Sequence, residues 1–147
     1  MKSKLGGNKE SKHILCEALI ELKSFQDLLK NSHSKYFGNL LEQIIGSDTI
    51  PFFLVTKKGV HLSQVDPGGD LETKYFRIES IDSKNCRIII TLLRPLDIEG
   101  NYTKSIYDVV RLEKTTARKV IDLSLIGAIQ PLDTELLKRK IIIEPKW

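Results

Sequence analysis

Eight consecutive residues, Cys86-Arg87-Ile88-Ile89-Ile90-Thr91-Leu92-Leu93, constrain this chain more than any other stretch. Branching at Cβ in Ile and Thr crowds a helical backbone but fits a pleated one, and a nearly continuous apolar run suits a strand buried on both faces. The neighbouring segments agree with it. Phe52-Phe53-Leu54-Val55 is short and wholly apolar, and it closes in Lys57-Lys58-Gly59, a turn signal. Val60–Val65 resumes before the loop Pro67-Gly68-Gly69-Asp70. Tyr75-Phe76-Arg77-Ile78-Glu79 alternates, as does Val120-Ile121-Asp122-Leu123-Ser124-Leu125, and Asp82-Ser83-Lys84-Asn85 supplies a hairpin connection. Short strands separated by turns, with no helical segment between them, predict an antiparallel β-sandwich or barrel-like domain rather than a parallel sheet.

The first part of the chain has a different period. After Ser11, a helix N-cap candidate, Ile14, Leu15, Ala18, Leu19, Leu22, Phe25 and Leu29 recur at helical spacing, which predicts one amphipathic helix to about Lys30. Residues 1–10, rich in Lys, Gly and Asn, are expected to be mobile. A shorter helical piece follows at Leu40–Ile45, ended by Gly46, and another at Asp133–Lys140 with Asp133 as its cap. The expected fold is therefore mainly β with an N-terminal α-helix. Residues 1–46 form the mobile terminus and helix, and residues 47–147 a β-sandwich-like domain with a short C-terminal helix and tail.

Charge narrows the list of partners. The chain carries 23 Lys and Arg against 19 Asp and Glu, but the excess sits at its ends. Residues 1–12 hold four Lys against Glu10, and residues 138–147 hold four basic residues against Glu144, which leaves the body at −2. A nucleic-acid-binding face needs Lys and Arg gathered on folded surface, so no nucleic-acid partner is expected; a tail-based binder would be salt-sensitive and lost with the tails. No stretch approaches the roughly 18 apolar residues of a membrane span, and no membrane partner is expected. The charged start, with no apolar run behind it, does not read as a secretory signal, so the Asn101-Tyr102-Thr103 sequon reads as chance. Two cysteines in 147 residues cannot build a dense disulfide framework or a four-ligand zinc site. The reading is of a chain made inside a cell on the reducing side.

Catalytic signatures are missing from the sequence. There is no G-x-S-x-G elbow, phosphate loop, G-x-G-x-x-G or H-E-x-x-H. His13, His33 and His61 are scattered without a second ligand at helix or hairpin spacing. Asp66, Asp70 and Glu72 flank a Gly-Gly turn but lack the alternating oxygen spacing of a calcium loop. Spacing alone does not make a thiol-protease pair of Cys86 and His61. The expectation is a non-enzyme with no catalytic residues, cofactor or metal; an enzyme would instead show a cleft of strongly perturbed titratable groups. Cys16 and Cys86 read either as small buried hydrophobes or, if exposed in an oxidising place, as an intermolecular disulfide. Ile141-Ile142-Ile143, three large apolar residues beside the chain end, read either as a last strand closing the sheet or as an assembly surface for another copy.

A series of short words in the β part points further. Asp48-Thr49-Ile50-Pro51-Phe52 opens it, followed by Lys57-Lys58-Gly59, Gly68-Gly69 and Phe76-Arg77-Ile78-Glu79. Leu93-Arg94-Pro95-Leu96-Asp97, Leu112-Glu113-Lys114-Thr115, Val120-Ile121-Asp122-Leu123 and Ala128-Ile129-Gln130-Pro131-Leu132 complete it. In order and spacing this series, over roughly residues 45–137, resembles the CotY/CotZ family of spore coat and exosporium proteins from endospore-forming Bacillus-type bacteria. The resemblance implies a structural protein of the spore surface, coat or exosporium, synthesised in the mother-cell cytoplasm. It also implies that the partners are the chain itself and related coat proteins, in a homo- or hetero-oligomer. The resembled proteins are rich in cysteine and their lattices are disulfide-locked. Here most of those positions hold other residues, and Cys86, just before Arg87-Ile88-Ile89-Ile90, coincides with a family cysteine. Extensive cross-linking is therefore not implied; a cysteine-poor relative assembles through its sheet edges, docks on the lattice as an accessory protein, or has lost assembly altogether. The alternative is a β-sandwich module that recognises a carbohydrate or partner peptide through the loops Asp66–Thr73 and Asp97–Thr103.

Overall fold

A computed structural model describes residues 2–30, 49–132 and 142–143. The protein is mainly β, with one N-terminal helix, α1 (Lys2–Lys30). The strands are β1 (Phe52–Thr56), β2 (Gln64–Val65), β3 (Glu72–Thr73), β4 (Phe76–Asp82), β5 (Arg87–Leu96), β6 (Arg111–Asp122), β7 (Ile126–Pro131) and β8 (Ile142–Ile143), with a 3-10 turn at Leu123–Leu125. The main sheet runs β7-β1-β4-β5-β6-β8, and β2 and β3 form a separate small hairpin. Pairing from β7 to β6 is antiparallel throughout. β8 alone joins in parallel, Ile142 opposite Arg111 and Ile143 opposite Leu112. Among the described residues the sheet stays open and no barrel closes.

The anticipated central strand is β5, paired along its length with β4 on one side and β6 on the other. Its burial alternates less than a half-buried strand would, because both faces are covered. Ile88, Ile90 and Leu92 belong to one buried cluster with Phe52, Leu54, Phe76, Ile78, Ile121 and Leu123. Leu93 belongs to another, on the opposite face, with Phe53, Tyr75, Val109 and Leu112. Each large side chain withdrawn from water in this way contributes about 1.5–3 kcal/mol. Phe52 and Phe76, opposite one another in the β1–β4 register, meet edge to face at 6.3 Å.

α1 covers the first cluster, crossing β4, β7 and the 3-10 turn. Cys16 and Leu19 are buried there, and Leu15 and Leu22 pack against the same cluster. The helix begins at Lys2, nine residues before Ser11. The helix runs on through Gly6, Gly7 and Asn8, poor helix formers, because once residues 14–28 are held by packing, extending a helix costs far less than nucleating one. Leu40–Ile45 and Asp133–Lys140 lie outside the described residues.

The turns follow their chemistry. Gly59 adopts φ +86° in the Lys57-Lys58-Gly59 turn, and Gly69 φ +77° in the loop before β3. At the β4–β5 hairpin, Asp82 Oδ1 accepts from the backbone of Lys84 and Asn85, so the expected connection forms there. Its last residue is Cys86 at φ +51°, the one non-glycine in the left-handed region among the described residues.

Candidate functional site

Assembly chemistry would use sheet edges and apolar faces, so their geometry comes first. β7 is an edge strand. It pairs with β1 from Phe52 opposite Pro131 to Thr56 opposite Ile126, with a bulge between Val55 and Thr56. Among the described residues no strand pairs with its outer side. Gly127 lies against the bulge, where a Cβ would come within 3.3 Å of the Thr56 carbonyl oxygen. The six residues Ile126-Gly127-Ala128-Ile129-Gln130-Pro131 carry no charge, and Gly127, Ala128, Gln130 and Pro131 are exposed. Folded proteins blunt such an edge with charged side chains, bulges or proline; β7 has the bulge at Gly127 and Pro131 at its end, but no charge.

Beside β7 runs a groove of about 350 Å³ between the sheet and α1, lined by Ala18, Glu21, Leu22, Phe25, Ile129 and Pro131. Phe25 is half exposed on its rim. The apolar face expected from the helix periodicity is therefore divided. Leu15, Cys16, Leu19 and Leu22 pack into the cluster under the helix, whereas Ala18 and Phe25 border the groove beside β7 and Ile14 is exposed.

The two cysteines do not meet the condition for cross-linking. Cys16 is 2% exposed and Cys86 9%, both in the same buried cluster. Cys86 Sγ donates to the Ser83 carbonyl at 3.8 Å. Of the two readings of Cys16 and Cys86, their burial agrees with that of small buried hydrophobes, since the covering helix and hairpin put both sulfurs among apolar side chains. Ile142 and Ile143 form β8 on the β6 edge, so the backbone on one side of that short segment is already paired within the chain. Ile141 lies outside the described residues.

Two loops named from the sequence come together. Tyr102 donates its hydroxyl to the Glu72 carbonyl at 2.5 Å, and Lys104 Nζ reaches Glu72 Oε1 at 3.2 Å, which joins Asp66–Thr73 to the segment after Asp97. The Lys104 and Ser63 hydrogen bonds hold the Glu72 carboxyl below the usual range. Asp66 Oδ1 accepts from Leu71 N, and Asp97 Oδ1 from the backbone of Glu99 and Asn101. These carboxylates therefore serve their own turns. Among the described residues no group of three or more His, Cys, Asp or Glu side chains is placed to hold a metal. His61 packs against Phe53 with ring centroids 4.6 Å apart and the planes tilted, and meets Gln130 at 3.2 Å, on the cluster opposite the one containing Cys86. The two form no pair.

A polar network occupies the second face of β4 and β5. Arg77, 6% exposed, donates through Nε to Thr49 Oγ1 at 3.0 Å and through a terminal nitrogen to Glu79. Thr91 donates its hydroxyl to the same Glu79 oxygen at 2.5 Å. Burial raises the Glu79 pKa, but the bonds from Thr91 and Arg77 outweigh it and hold the carboxyl below its ordinary value. The network fixes three side chains across two strands.

Sequence reasoning did not single out the β7 edge as functional. For the β7 edge the available signal was the uncharged run Ile126–Pro131. Comparison of the chain with protein-family models, curated proteins and solved structures finds no match.

Proposed function

We propose that the protein is a structural, non-enzymatic subunit of the bacterial spore surface, coat or exosporium, that assembles with copies of itself or with related coat proteins. The observation that carries the assembly reading is the β7 edge, six uncharged residues with an unpaired outer side among the described residues. A strand of that kind is a template for adding another chain's strand, with main-chain hydrogen bonds supplying affinity. The spore assignment itself rests on the resemblance of the words between residues 45 and 137 to the CotY/CotZ family. With both thiols buried, cohesion in this reading is non-covalent.

A tagged copy followed through sporulation tests the location. It is expected to collect at the spore periphery late in development, and diffuse signal in growing cells with none on spores would reject the reading. Electron microscopy of the purified protein tests assembly, with sheets or oligomers expected under reducing and oxidising conditions alike.

A second reading is supported by the joined loops around Glu72 and Tyr102, next to Ile98, which is 86% exposed. It is a module that recognises a carbohydrate or partner peptide. Ile98→Ser and Tyr102→Phe would then abolish ligand capture and leave oligomers intact, whereas under the first reading they leave assembly unchanged.

A further inference from the structure

We draw no further inference here: the strongest candidate, the apolar groove between α1 and β7 lined by Ala18, Leu22, Phe25, Ile129 and Pro131, carries nothing because nothing in the structure shows what covers it.

Discussion

Gln26, on the helix, completes the backbone of Ile78, on a strand: its Nε2 donates to the Ile78 carbonyl at 2.9 Å while its Oε1 accepts from Ile50 N at 3.3 Å. Among the described residues β1 pairs with β4 at Phe52 opposite Phe76, and beyond that point no described strand pairs with the outer side of β4. One side-chain amide serves where a ladder would. At 2% exposure, neither of its groups can be replaced cheaply by water.

Gln26→Ala should therefore destabilise the protein by about 1–3 kcal/mol, the cost of stranding buried polar groups, on top of lost packing. Urea unfolding measures it. A change below about 0.5 kcal/mol, typical of an ordinary surface substitution, would show that the bridge contributes little.

Glu79 makes stability depend on pH in a definite direction. Its folded-state pKa is lowered, because the Thr91 and Arg77 bonds outweigh burial. A depressed carboxylate contributes stability that is complete above its unfolded pKa and is lost as pH falls through the folded value. Denaturant melts from about pH 7 to about pH 3 should show stability falling in acid. Glu79→Gln should flatten part of that slope; an identical slope would remove the network from the acid response.

Thiol titration of the native protein should detect almost no reactive sulfur, and two thiols after unfolding, since Cys16 and Cys86 are both buried. Cys86 also sits at φ +51°. Cys86→Val, β-branched at a left-handed position, should cost about 1–2 kcal/mol more than Cys86→Gly, which relieves the backbone while losing a small side chain.

Ala128→Lys adds a charge to an exposed edge position without touching the core. Thermal unfolding should move little, while any strand-mediated assembly larger than a dimer should disappear from light-scattering traces. Assemblies of unchanged size would place the contact elsewhere.

Phe76→Ala probes the anticipated core. Fully buried against Phe52, it should cost about 3–5 kcal/mol by equilibrium unfolding.

Most of the framework was legible in local sequence. The β-branched run before Leu93, the alternation around Ile78, the turn at Gly59 and the Asp82 hairpin each act through the residue's own backbone preference or nearest neighbours, so no distant partner is needed to read them. The charged stretch Arg111–Lys119 carries that preference only at Thr115 and Thr116. It extends because β5 offers it a continuous ladder, and β7 likewise forms because β1 is there to pair with it.

Tertiary packing alone decided which sides are inside. The helix period marks a broad apolar arc from Ile14 to Leu29, but the sheet has room for only part of it. Leu19 is buried, Ile14 and Phe25 are left exposed, and polar Gln26 is drawn inward by an unpaired carbonyl 52 residues away. The same holds for the sulfurs, since burial is a property of what lies over a residue, which adjacent letters do not record. Chain order dictated where strands and turns arise; the meeting of distant segments dictated which surfaces remain to bind.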